Sequence, residues 1–174
     1  MSGEELRLER LHSDHELARF SCGVEELDGW LRRHAVVAQQ IDSARTFVVV
    51  RGARIAAYVS LTMGSVQRTD APPRLVRGLP AYPVGMVLIA RLAVDRTEQG
   101  AGLGTRLLAD ALRMAVIAGD AAAARLVVVD AVDDRAAQFY HRHGFTGTLD
   151  HPLRLYRRMK DVRASLQRAE RNQL

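Results

Sequence analysis

The chain has one lysine among its 25 basic residues, one cysteine, one tryptophan, and aromatic side chains at only 5%. A lone cysteine, Cys22, cannot close an internal disulfide, and this points to a reducing compartment, the cytoplasm. No apolar run reaches the ~20 residues that span a bilayer. The opening residues, MSGEELRLER, are polar and acidic, unlike a signal peptide. These scarcities give a cytoplasmic protein with no membrane partner. No repeat, low-complexity tract or linker interrupts the chain. Its 174 residues, 48% of them hydrophobic, suffice for one domain with a real core and are too few for two ordinary ones.

Charge is present but uneven. Residues 1–150 hold 18 basic and 18 acidic side chains, which cancel. Residues 151–174 hold Arg154, Arg157, Arg158, Lys160, Arg163, Arg168 and Arg171 against Asp161 and Glu170, so the whole net charge of +5 is C-terminal. That clustering suits a polyanionic partner. The excess of arginine over lysine fits phosphate recognition, although a biased genome composition produces the same ratio. Residues 161–174 read as a basic, weakly periodic and frayed tail.

The chain is organised around Val87–Gly119. Val87–Val94 is an apolar run of strand length with one charge, Arg91. Gln99-Gly100-Ala101-Gly102-Leu103-Gly104 then opens a helix, whose apolar positions Leu103, Leu107, Leu108, Ala111, Leu112 and Ala115 recur at helical spacing, with Gly119 as a stop. Glycines let a backbone approach a ligand closely, and the first N–H groups of a helix lack internal partners, so an anion such as a pyrophosphate suits this turn. A plain strand-to-helix connection has the same glycines. Neither the dinucleotide fingerprint nor the phosphate-loop pattern G-x-x-x-x-G-K-[ST] fits.

Elsewhere, Leu6–Leu11 alternates like a half-buried strand. Glu25, Glu26 and Asp28 begin a helix with Leu27, Trp30, Leu31, Ala35 and Ala38 on one face. Arg45–Val50 and Ile55–Val66 flank the turn Arg51–Arg54 as a hairpin. Residues 69–83 hold four of the five prolines and read as a loop, either a connector or a functional segment. Ala124–Ala131 is a strand, Asp133-Asp134 caps a helix from Arg135 to about His143, and Leu153–Met159 is the last strand.

The pattern Q-x-x-G-x-G at Gln99, Gly102 and Gly104 resembles the acyl-coenzyme A pyrophosphate loop of the GNAT N-acetyltransferases. The pattern A-x-x-F-Y-x-x-x-G-F over Ala136–Phe145 resembles the segment that ends that family's cofactor region. Phe20-Ser21-Cys22-Gly23, Leu79–Pro83 and Ala90–Asp95 resemble one branch, the toxins that acetylate aminoacyl-tRNA. The resemblance covers about Leu6 to Lys160. It implies a single α/β domain over residues 1–160 with the GNAT fold: a mixed central sheet with a V-shaped split and helices on both faces. It also implies acetyl-coenzyme A as cofactor and transfer of acetyl to the α-amine of aminoacyl-tRNA, which would block translation. A homodimer is implied too, together with an antitoxin bearing a ribbon-helix-helix part through which alone DNA would be bound. The alternatives are a GNAT enzyme acting on a protein N-terminus or a small amine, and an inactive GNAT-fold binding module.

The same resemblance assigns residues. Main-chain groups of Leu92, Ala93 and Val94 would meet the pantetheine arm. Gln99, Gly100, Ala101, Gly102, Leu103, Gly104, Thr105 and Arg106 would hold the pyrophosphate. Tyr140 would be the general acid. A phenol (ordinary pKa about 10) is a reasonable proton donor to a leaving thiolate (about 8.5), although Phe139 and Tyr140 also read as core aromatics. No Asp or Glu lies within Met86–Val94 to act as base. That suits an α-amine, with an ordinary pKa of about 7.7–8.0, better than a lysine at about 10.4. Arg91 inside an apolar strand needs a partner or a cleft; it either contacts the acceptor or forms a structural salt bridge. Arg74, Arg77, Arg32 and Arg33 are the other candidate tRNA contacts. Cys22 reads as a small buried side chain. His12, His15, His34, His141, His143 and His151 read as surface or loop residues, with no metal site.

Overall fold

A computed structural model describes residues 4–174. In chain order the elements are β1 (Leu6–Arg10), α1 (Glu25–Arg33), α2 (Ala35–Gln40), β2 (Arg45–Arg51), β3 (Arg54–Val66), α3 (Pro73–Val76) and β4 (Val84–Val94). A 3₁₀ turn (Arg96–Glu98) follows, then α4 (Leu103–Ala122), β5 (Leu126–Asp130), α5 (Asp134–Arg142), β6 (Thr146–Gly147), β7 (Arg154–Arg158) and α6 (Met159–Arg171). The strands form a mixed seven-stranded sheet in the order β1-β2-β3-β4-β5-β7-β6. β4 and β5 are parallel, with a register from Met86↔Leu126 to Ile89↔Val129. β4 then continues to Val94, so its last five residues lie beyond the β5 ladder.

Internal contacts divide the chain into two compact units. The first contains the residues up to Thr62 together with Ala90–Asp110. Its antiparallel β1–β2–β3 ladder packs Val48, Val50, Ile55 and Tyr58 against Leu11, Phe20, Leu31, Ala35 and Ala93. The apolar face expected on one helix is divided between α1 and α2, which break at His34. Tyr58 anchors this core: its ring meets Phe20 edge-on and stacks on Trp30, and its hydroxyl donates to the Leu27 carbonyl at 2.7 Å.

The second unit contains Met63–Ile89 and Ala111–Leu174. β5 is buried on both faces, as a central parallel strand must be. Leu126, Val128 and Tyr156 pack against Val84, Met86, Leu75 and Val76. The proline-containing segment read as a loop therefore carries a short helix, α3, whose Leu75 and Val76 are buried.

Two expectations fail here, for one reason. Gly119 does not stop α4, which runs on to Ala122. A Cβ at Gly119 would sit 2.7 Å from the Met159 side chain, so this glycine admits the first residue of α6. Residues from Met159 onward form that helix and are not a frayed tail. Met159 and Val162 are buried on it, while its charges face outward. Among the described residues no helix is long and apolar enough to cross a membrane.

Candidate functional site

In the first unit, β4 runs into the 3₁₀ turn and then into the glycine turn. Asp95 caps the 3₁₀ turn: its carboxylate accepts from Thr97 N (3.0 Å), Thr97 Oγ1 (2.7 Å) and Ser21 N (3.0 Å). Arg54 approaches to 3.6 Å. Burial pulls the Asp95 carboxyl up, but the hydrogen bonds from Ser21 and Thr97, with Arg54, outweigh it and hold the group below its ordinary value. Its acceptor positions are occupied and its basicity is reduced, so the first acid after the strand is a structural cap and a poor proton acceptor.

Gly100 and Gly102 have φ of 84° and 83°, a region that side chains disfavour. A Cβ at either position would meet nothing within 4 Å, so the turn is open on that side. Gly100, Ala101 and Gly102 are exposed, α4 begins at Leu103, and no acid occupies its first turn. The helix then runs 20 residues, long enough for a developed dipole. An open glycine turn, donor N–H groups and no opposing acid fit the pyrophosphate of a coenzyme A thioester. Thr105 and Arg106 lie on the exposed first turn.

Gln99 differs from a simple ligand contact. Its side-chain amide donates to the Cys22 carbonyl at 2.9 Å and the Val94 carbonyl at 2.8 Å. It thus ties the segment before α1 and the end of β4 to the glycine turn. Val94 O is consequently engaged by Gln99. Further bonds knit Phe20–Gly23 to the same place: Arg96 N donates to Ser21 O (2.8 Å), and Cys22 N donates to the Asp28 carboxylate (2.8 Å). Cys22 itself is inert. Burial, and then its hydrogen bond with Asp28, push the thiol up to about 12.

Arg91 is half-buried, and its guanidinium lies 4.1 Å over the Trp30 ring. This cation–π stack is one of the contacts that hold the Arg91 charge. Arg32 donates to the Phe20 carbonyl (3.0 Å) and pairs with Glu25 (3.2 Å), and Arg33 approaches the same carboxylate at 3.7 Å. These two arginines hold α1 and its approach.

In the second unit, Asp133 caps α5 by accepting from Ala136 N at 2.8 Å. Tyr140, two turns on, is 5% exposed. Its ring packs edge-on against Phe139 and Phe145. Burial raises its pKa above the ordinary phenol value. Among the described residues no hydroxyl partner of Tyr140 is found, yet no fully buried side-chain polar atom lacks a partner. The hydroxyl therefore reaches the surface of an otherwise buried ring. Arg74 and Arg77 are exposed around α3, with Arg74 3.4 Å from the Thr146 hydroxyl.

Two features have no counterpart in the sequence reading. Ligand atoms of Glu9, His12 and His15 lie within 4.8 Å of one another. His15, in the loop after β1, has a largely buried side chain, with Nε2 3.0 Å from Glu9. Both histidines accept a backbone N–H at Nδ1, from Asp14 and from His12. That places the ring proton on Nε2, the wrong tautomer for an Nε2-bound metal, so the trio is a hydrogen-bonded turn. Separately, a cleft of about 550 Å³ is lined by Asp70, Asp130, Asp150, His151, Arg154 and Tyr156, among others. None of the sequence-predicted site residues lines it, and its acids disfavour phosphate.

Comparison with known proteins bears on both units. A family model described as an acetyltransferase (GNAT) domain matches residues 42–147. The chain is 40% identical over 155 residues to a tRNA-acetylating toxin of Mycobacterium tuberculosis, covering 89% of this chain and 93% of the relative. The structure of AtaT complexed with acetyl-methionyl-tRNAfMet superposes with a TM-score of 0.84 at 26% identity, over 92% of this chain and 98% of that one. A tyrosine-to-phenylalanine mutant of AtaT bound to the C-terminus of the antitoxin AtaR and acetyl-CoA gives 0.81 at 26%, over 94% and 99%.

Proposed function

The chain belongs to the GNAT acetyltransferase family, and from that premise we propose that it is a toxin that acetylates the α-amine of aminoacyl-tRNA and so blocks translation. The acetyl donor is acetyl-coenzyme A. The observation that carries the acceptor is the 40% identity, over nearly the whole chain, to a protein named for tRNA acetylation. The site's chemistry agrees. The only acid at the end of β4 is Asp95, whose hydrogen bonds are spent and whose basicity is lowered. Such a site suits an amine already substantially neutral near pH 7, and an α-amine beside an electron-withdrawing ester is one.

Each residue's part follows from its setting. The N–H groups at Gly102–Thr105 bind the pyrophosphate, and the positive φ at Gly100 and Gly102 holds the turn open for it. Main-chain groups of Leu92–Val94, beyond the β5 ladder, align the pantetheine arm as an added strand would be aligned. Acetyl-coenzyme A supplies the acetyl group as an activated thioester. Tyr140 keeps a proton at Oη because burial disfavours the phenolate, and it gives that proton to the leaving sulfur as general acid. Arg91 is held by Trp30 and faces the acceptor as a fixed cation.

The working form is a homodimer, held in check by an antitoxin with a ribbon-helix-helix DNA-binding part, in the cytoplasm. The AtaT structure bound to part of AtaR supports an antitoxin partner. The test is acetyl transfer from labelled acetyl-coenzyme A to total charged tRNA, with deacylated tRNA as control. Label confined to charged tRNA is expected. Binding of coenzyme A without such label would move the acceptor to a protein N-terminus or a small amine, and no binding would leave a GNAT-fold binding module.

A further inference from the structure

Resting on the tRNA reading above, we propose that the outward face of α6, formed by Lys160, Arg168 and Arg171, docks the phosphate backbone of the tRNA.

The charge excess of the chain lies in residues 151–174, and the structure separates its seven cations into two groups. Four are spent. Arg154 holds Asp130 at two points (2.8 and 3.0 Å), and Arg158 holds Asp161 likewise (2.8 and 3.2 Å). Arg163 pairs with Asp120 at 2.6 Å. Arg157 is half-buried, donates to the Ser165 hydroxyl, and is made a weaker base by desolvation. The remaining three are exposed, and among the described residues none of them is in an ion pair. Arg168 only touches the neutral Ser165 hydroxyl, at 3.2 Å.

These three share one side of the helix. At about 100° per residue, Lys160, Arg171 and Arg168 fall within an arc of roughly 80°. Met159, Val162 and Leu166 lie on the opposite side, and Met159 and Val162 are the buried ones. Asp161 at the arc's edge is neutralised by Arg158, and Glu170 lies outside it. Lys160 and Arg171 stand about 16 Å apart along the axis, far more than the ~3.4 Å axial spacing of phosphates on one strand. Lys160 therefore engages a different phosphate from the Arg168 and Arg171 end of the stripe. A stripe of unneutralised charge on a rigid helix, with its apolar back anchored, reads as a backbone-tracking surface that carries no base specificity.

Binding of deacylated tRNA by fluorescence anisotropy at 50–200 mM salt tests this without any acetylation step. The variant K160A/R168A/R171A is compared with the native chain, and acetyl-coenzyme A affinity reports that both are folded. The expected result is at least a tenfold loss of tRNA affinity and a salt slope (log K against log salt) shallower by about 2–3, with acetyl-coenzyme A affinity unchanged. The exchange K160R/R168K/R171K should restore both, since phosphate attraction needs only the charge. Equal affinity and slope in the alanine variant, beside a native chain that binds tRNA, overturns the proposal and leaves the tRNA reading intact; α6 would then serve a protein partner. A native chain that does not bind tRNA overturns both.

Discussion

Arg51 and Glu98, 47 residues apart, meet at two points: Nε to Oε1 at 2.8 Å and Nη2 to Oε2 at 3.1 Å. Arg51 ends β2, and Glu98 ends the 3₁₀ turn two residues before Gly100. Arg54, the first residue of β3, reaches the same carboxylate. The β2–β3 hairpin turn therefore clamps the approach to the glycine turn from outside. Sequence reading marked Arg51–Arg54 only as a turn, because a pairing this distant has no local periodicity.

Glu98→Gln keeps the shape of this clamp and removes its charge. Acetyl-coenzyme A affinity should fall about tenfold, roughly the worth of one charge-assisted hydrogen bond, while the chain remains folded. Calorimetric titration checks this, and unchanged affinity would mean that the turn holds itself.

The same groups set a pH dependence. Hydrogen bonds from Arg51 lower the Glu98 carboxyl below its ordinary 4.5. Asp95 lies below its ordinary 3.8 because its hydrogen bonds outweigh burial. Folded values below unfolded ones mean that the native state favours the ionised forms. Their stabilisation is complete above the unfolded values and disappears as pH falls through the folded ones. Melting temperature should decline below about pH 4.5, and less steeply in Glu98→Gln. Parallel profiles for the two proteins would remove Glu98 from the acid response.

Gly102→Val and Gly102→Asn separate strain from crowding. Neither added Cβ meets an atom of the chain, so the cost lies in the φ of 83°. Asn tolerates that region and Val does not, a difference of about 1–2 kcal/mol. If the turn's shape is what matters, Asn should keep most of the acetyl-coenzyme A affinity and Val should lose it. Equal loss in both would show instead that the ligand touches Gly102 so closely that no side chain fits.

Tyr140→Phe should bind acetyl-coenzyme A as the native chain does and lose about 10²–10⁴ in turnover. Its melting temperature should hold within about 2 °C, since among the described residues the hydroxyl has no intramolecular bond to lose. Because burial raises the phenol's pKa, native kcat should show no loss between about pH 8 and 9.5 from ionisation of this group. Full turnover in the variant would end the general-acid role.

Local pattern was enough to identify much of this protein. The apolar run, the three glycines and the helical spacing after Leu103 mark the strand–turn–helix unit, since 2- and 3.6-residue periods and positive-φ glycines are written into neighbouring residues. The Asp133 cap and the A-x-x-F-Y-x-x-x-G-F segment were legible for the same reason. Where the reading failed, the deciding contact was remote. Gly119 looks like a helix stop until Met159 packs on it. The C-terminal residues look frayed until Met159 and Val162 find a core.

Tertiary structure alone separated the arginines, which the sequence could only count. It placed Arg91 over Trp30, set Arg51 and Arg54 on Glu98, spent Arg32 on the Phe20 carbonyl, and left Arg168 and Arg171 facing outward with Lys160. A side chain's charge is fixed by its residue type, but whether that charge is neutralised depends on which carboxylate or ring the fold brings within a few ångströms. Sequence determined what kind of turn and helix this chain builds; the partners of its charges were decided only when the chain closed on itself.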